Sequence, residues 1–249
     1  MKFIFTFLLI ISFLHAKDTK STITVGVGPY FQTQPYKDVS NIILPSPVVF
    51  FDNGLFYVRW TQIGMYFLGQ KNDTFSWGFS LTGQPRPNSY KASDSQYLQG
   101  LEDKKSSFEA GLAFSASMDK FYIDSMFVTD ILDRYDSWIF KTEIGYQFSL
   151  SKFTFYPSII TLYQSSDFNN YYYGISQEES QNSQYTAYST KAGLQLGAQT
   201  YIKYPLTKNL ATLLNMRIDK LSSQAVASPI VVDKYIYSGL LSLIYTFEY

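Results

Sequence analysis

The side chains able to do chemistry in this chain are carboxylates and amines scattered among alternating apolar residues. Glu109, Asp124, Asp130, Glu143 and Asp219 stand in segments that also hold Lys141, Lys191, Lys203 and Arg217. Charges of both signs at strand spacing suit a selectivity ring inside a pore. They equally suit a narrow barrel whose lumen is filled by paired charges. Two carboxylates could also hydrolyse a glycoside, but no spacing here singles out a pair. Nucleophilic and metal chemistry have less to work with. The chain has no cysteine and one histidine, His15, which falls in a leader-like segment. Without it the mature chain lacks Ser-His-Asp and Cys-His constellations and the commonest metal ligands. An enzyme is therefore not expected, nor is a cofactor.

Smaller motifs add little. Val25-Gly26-Val27-Gly28 has a Gly-x-Gly look, yet no helical pattern and no third glycine follow, so lumen-facing glycines in a strand explain it better. Asp167, Glu178 and Glu179 offer oxygen ligands at a spacing that matches no calcium loop. Tyr171-Tyr172-Tyr173 reads either as a partner-binding patch or as a loop folded on itself. Twenty basic residues balance twenty acidic ones, which gives nucleic acid no electrostatic footprint.

The N-terminus opens Met1-Lys2, continues with an apolar run over 3–14, and reaches Ala16 before Lys17-Asp18. That order predicts a secretory signal peptide over 1–16, cleaved after Ala16. The run is too short to span a bilayer as a helix, and no later window is long and apolar enough to do so. What remains, 17–249, reads as one all-β domain. The full chain's 22 tyrosines and 21 phenylalanines, with a full-chain mean hydropathy near zero at −0.09, fit a membrane barrel in which only alternate residues meet lipid.

Period-two alternation dominates. Trp138, Phe140, Thr142, Ile144, Tyr146, Phe148 and Leu150 share one face, while Ile139, Lys141, Glu143, Gly145 and Gln147 share the other. The same rhythm runs through 75–82, 108–115, 191–199 and 210–219. A Lys or Arg on a mid-membrane lipid face costs about 2–4 kcal/mol, so Lys141, Lys191 and Arg217 should face the lumen. A soluble sandwich or lipocalin-like barrel would turn the apolar face inward instead. Tyrosines 163, 204, 235, 245 and 249 gather at strand ends, as interface girdles do.

With both termini periplasmic, short turns and long external loops must alternate. Strands are expected at 21–31, 74–83, 105–117, 119–131, 136–148, 153–164, 187–204, 208–221 and 235–249. Between 32 and 69 parity allows three strands (46–52, 55–60 and 62–69) or one (55–69). Asp52-Asn53-Gly54 is a hairpin signal that favours three. The expectation is thus an antiparallel up-and-down transmembrane barrel of 12 strands, with 10 as the alternative. Long external loops fall at 84–104, 165–186 and 222–234.

Several pieces together resemble the MltA-interacting protein family (MipA/OmpV). They are Gly26-x-Gly28 with Pro35-Tyr36, and Leu44-Pro45-Ser46-Pro47 leading into Phe50-Phe51-Asp52-Asn53-Gly54-Leu55-Phe56-Tyr57-Val58. Tyr172-Tyr173-Gly174-Ile175-Ser176, Ser228-Pro229-Ile230-Val231 and the final Tyr245-Thr246-Phe247 complete the set. The resemblance implies an outer-membrane barrel in contact with outer-membrane lipid and inserted by the barrel-assembly machinery. Tyr249, with Phe247 and Tyr245 on the same face, would be the assembly signal. It further implies a scaffold that joins a lytic transglycosylase to a peptidoglycan synthase, with no catalytic residues. A narrow porin-like channel and an adhesin or receptor working through loops 84–104 and 165–186 stand as the other readings.

Overall fold

A computed structural model describes residues 22–72, 74–87 and 90–248. The leader with Ala16, and Tyr249 of the expected assembly signal, lie outside the described residues. The alternating segments become strands β1 (Thr22–Gln32), β2 (Ile42–Asp52), β3 (Phe56–Arg59), β4 (Gln62–Lys71), β5 (Phe75–Arg86) and β6 (Ser107–Met118). The chain continues through β7 (Phe121–Asp130), β8 (Trp138–Tyr146), β9 (Phe148–Leu150) and β10 (Phe153–Gln164). It ends with β11 (Gly193–Pro205), β12 (Leu210–Lys220) and β13 (Tyr235–Glu248). Successive strands pair antiparallel, and β13 pairs with β1, so the sheet closes on itself. β8 and β9 are one stave interrupted at Gln147, whose N–H turns to Lys120 O at 2.8 Å. The 13 strand segments therefore make 12 staves.

The three-strand option holds between 32 and 69. The β2–β3 turn is built by side chains: Gly54 N–H donates to Asp52 Oδ1 at 3.0 Å and Phe56 N–H to Asn53 Oδ1 at 2.7 Å. Gly54 sits at φ +83°, a left-handed value that suits glycine.

Orientation follows from exposure. Leu112, Ile144, Ile159 and Leu241 point outward at 52%, 55%, 60% and 54% exposed, while Ser80 and Glu109, on the inner face, are at 0%. Apolar outside and polar inside is the arrangement a bilayer imposes. It excludes the lipocalin-like alternative. Aromatic contacts band the strand ends: Phe153–Tyr204 and Tyr245–Phe247 at 4.9 and 4.7 Å near the short turns, Trp138–Tyr163 at 5.8 Å near the long loops.

Two expectations need correction. The long external loops carry helices that the strand pattern does not predict: 165–186 folds into α1 (Ser166–Tyr173) and α2 (Gln177–Asn182), and 222–234 contains α3 (Ser223–Val226). Ser165, Ser176 and Ser222 cap these helices by accepting the N–H of Phe168, Glu179 and Ala225. Also, β11 starts at Gly193 rather than 187. The residues before it are bound to α1, where Asn170 Oδ1 accepts Thr190 N–H at 2.7 Å and Asn169 Nδ2 donates to Lys191 O at 2.9 Å.

Candidate functional site: the lumen and its external cap

Among the described residues, four cations of the lumen each pair with a carboxylate, and Asp52 also lies 3.8 Å from one of them, Arg59. Two of the four pairs lie within one strand, two residues apart, where period two puts both side chains on one face. Arg217 Nε and Nη2 reach Asp219 at 2.6 and 2.7 Å, and Gln195 Nε2 donates to Asp219 Oδ1 at 3.0 Å. Lys141 Nζ lies 3.6 Å from Glu143, which also accepts from Tyr122 Oη at 3.0 Å and Gln199 Nε2 at 2.8 Å. The other two cross strands. Arg59 binds Asp124 and donates to Ser115 Oγ at 3.0 Å. Arg86 binds Glu109, which accepts in addition from Gln84 Nε2 at 2.6 Å and from the Tyr135 hydroxyl. Gln84 is directly opposite Glu109 across β5 and β6, and Arg86 sits on the diagonal.

The remaining candidates have other placements. Asp130, at the end of β7, accepts from Ser107 Oγ and from the N–H groups of Leu132, Arg134 and Tyr135, so it shapes the β7–β8 connection. Lys203 shares the inner face of β11 with Gln199 and Tyr201 but is not among the residues that line the lumen cavity. Lys191 is exposed and precedes β11, because α1 holds that stretch away from the wall. It is therefore not a lumen strand residue. Tyr245 and Phe247 share the outward face of β13 at 40% and 49% exposed. Sequence reasoning missed Arg59 and Arg86. Arg59 follows Tyr57 at strand period, and Arg86 ends the alternation of β5, so both carried a readable signal.

Inside the barrel lies a cavity of about 1420 Å³. Its lining runs from Gly54 and Lys71 at the short-turn end to Tyr36, Phe168, Tyr172 and Tyr173 beneath the long loops. Those loops form a cap with its own core. Tyr36, Tyr90, Leu98, Phe168, Tyr172, Tyr173, Ile175 and Ile230 are all buried there. Tyr171-Tyr172-Tyr173 is thus the last turn of α1, packed into the cap, and its last two rings are buried. Burying each such side chain stabilises by about 1.5–3 kcal/mol.

Polar stitches join the loops to one another. Tyr36 Oη donates to Tyr172 O at 3.2 Å, and Ser228 Oγ to Tyr173 O at 2.6 Å. Lys105 N–H donates to Tyr171 Oη at 2.8 Å. Glu179 accepts Glu102 N–H at 3.0 Å and holds Lys104 Nζ at 3.2 Å. Burial works against the Glu179 charge, but the Ser176 and Glu102 N–H groups and the Lys104 ammonium outweigh it, so its carboxyl sits below the usual range. The Tyr135 hydroxyl is pushed upward by burial and by the Glu109 charge, and stays a donor.

The family model described as MltA-interacting protein MipA matches residues 25–247. The chain is similar to YiaT of Escherichia coli (strain K12), an outer membrane protein by name, at 24% identity over 220 residues, 87% of each chain. It is 26% identical over 228 residues to the MltA-interacting protein of the same strain, covering 91% of this chain and 90% of the relative. OmpV of Vibrio cholerae, an outer membrane protein, is 26% identical over 167 residues, 66% and 63% of the two chains. Among solved structures, a Pseudomonas aeruginosa FadL homologue aligns with a TM-score of 0.41 and 11% identity, over 92% of this chain and 90% of that one.

Proposed function

Since this chain belongs to the MltA-interacting protein MipA family and is similar to proteins named as outer membrane proteins, we propose that it is a non-enzymatic barrel that admits small solutes to a lumen capped on the outside. The cavity of about 1420 Å³ carries this reading, because a barrel serving only as a post could fill that space with side chains. The stitched cap accounts for a closed resting mouth. In the mature protein the leader 1–16 would be removed after Ala16, and the aromatic end of β13 would be read by the barrel-assembly machinery.

Planar-bilayer recording tests the reading. The wild type should conduct in rare, small steps, and Phe168→Ala, which hollows the cap core, should make them frequent. Arg217→Gln should shift their ion preference. Silent bilayers for both wild type and Phe168→Ala would contradict it.

A second reading is supported by the relative that is named for interacting with MltA. In it, the barrel is a scaffold for a lytic transglycosylase and a peptidoglycan synthase. The periplasmic turns, such as Leu206-Thr207-Lys208-Asn209, are small beside the roughly 800 Å² per partner that a stable interface buries. Retention of a wall enzyme from periplasmic extract on the immobilised barrel, lost when 206–209 is replaced, would favour the scaffold.

A further inference from the structure

The barrel wall is not complete. β3 pairs with β2 only at Phe50, Phe51 and Asp52, and the chain turns back at Trp60-Thr61. One further bond, Trp60 N–H to Val49 O at 2.8 Å, ends the contact. Above it, 42–48 of β2 pairs with β1 on one side and, among the described residues, with no strand on the other.

The sequence is adapted to that open edge. Pro29 faces Pro45 across β1 and β2, and neither has an N–H, so theirs is a non-hydrogen-bonded pair. Two residues on, Val27 and Pro47 repeat the geometry. Pro45 and Pro47 therefore turn their nitrogens to the open side, where proline removes the donors that an unpaired strand would offer. Ile43, Pro45 and Pro47 are exposed and share the outward face, so the edge borders the lipid band.

The opening leads inward. Ile42, Leu44 and Ser46, on the inner face of β2, line the same cavity as the cap residues. Leu44 is 44% exposed although it faces inward. At the foot of the opening Trp60, held at φ +57°, donates from Nε1 to Ser46 Oγ at 3.1 Å and packs edge-on against Tyr30 at 5.8 Å. At the far end the Tyr172 hydroxyl and Gln164 Oε1 are buried without a partner among the described residues, on side chains that line the cavity.

From this we propose that the gap beside β2 is a lateral portal. Through it an uncharged, largely apolar small molecule with one hydrogen-bonding group passes from the outer leaflet into the lumen. Charge complementarity selects the class. The Arg59, Arg86, Lys141 and Arg217 cations on the lining are each matched by a carboxylate, so none of these four is free to hold a charged headgroup. The Tyr172 hydroxyl and Gln164 oxygen instead suit a neutral hydroxyl. The portal rests on the solute reading and gives it a route and a substrate class.

Photolabelling of the full barrel in liposomes tests it with two probes. One is a long-chain diazirine alcohol dissolved in the lipid, the other a short, water-soluble diazirine alcohol. Mapped by mass spectrometry, the lipid-borne alcohol should label Leu44, Gln164 and Tyr172. Leu44→Trp should abolish the labelling of Gln164 and Tyr172 from lipid while leaving that from water. Leu44→Phe serves as a second block if Leu44→Trp loses its heat-modifiable barrel form. Lipid-borne label confined to outward residues, with inner label from water alone, overturns the portal and leaves the solute reading standing. No inner label from either probe overturns both.

Discussion

The wall from β5 to β8 and the wall from β2 to β4 are built to different rules. On the first side β5 and β6 pair over their whole length, from Phe75↔Met118 to Arg86↔Ser107. Their upper end is locked by the Arg86–Glu109 pair, in which Glu109 is fully buried. On the second side a four-residue strand carries the pairing, and the unpaired part of the neighbouring β2 holds Pro45 and Pro47. The contrast shows that hydrogen-bond continuity was kept where the cap is anchored and given up where β2 meets lipid. A barrel normally leaves no open edge in a membrane, since each unpaired backbone group there costs several kcal/mol. Proline at the open positions lowers that cost by removing the donors themselves.

This contrast makes predictions of descending size. Glu109→Ala leaves the largely enclosed Arg86 without its counterion and should destabilise by about 3 kcal/mol, read as a lower urea midpoint for loss of the heat-modifiable form. An effect no greater than that of a surface substitution would break the comparison. Asp124→Asn acts on a pair whose arginine side chain is one-third exposed (33%), so about 1–3 kcal/mol is expected by the same assay.

The Glu179 contact should respond to acid. Its folded carboxyl lies below the 4.5 of the free side chain, so its stabilisation is complete above that value and is lost as pH falls through the lower folded value. Limited proteolysis of the α2 region should stay slow until the medium is more acidic than 4.5, and Lys104→Met should move the onset upward. Smallest in stability, Pro47→Thr restores one edge donor and should change the urea midpoint by only a few tenths of a kcal/mol to about 1 kcal/mol. Its sharper readout is association: the restored donor gives an open edge that pairs more readily with another chain, so cross-linked dimer should increase.

Much of this was legible in the alternation itself. The faces of β8 through β9, the Lys141–Glu143 and Arg217–Asp219 pairs, and the Asp52-Asn53-Gly54 hairpin follow from period two and turn chemistry. The cap was not legible. The short helix α1 is stabilised by burial of Phe168, Tyr172 and Tyr173 against loops far away in sequence, a tertiary effect that local polarity hides. Lys191 was misplaced for the same reason, since α1 captures the residues before β11. Arg59–Asp124 escaped because it joins strands whose register depends on the shortness of β3.

The most direct measurement places a bimane fluorophore on a single introduced cysteine, which the cysteine-free chain permits. Leu44→Cys and Ser117→Cys both put the label on the cavity lining, one beside the open wall and one on the closed wall. In bilayers of brominated lipid, the label at 44 should be quenched and the label at 117 should not. Equal fluorescence at both positions, unquenched, would mean that the wall beside β2 is closed to lipid and would contradict the account.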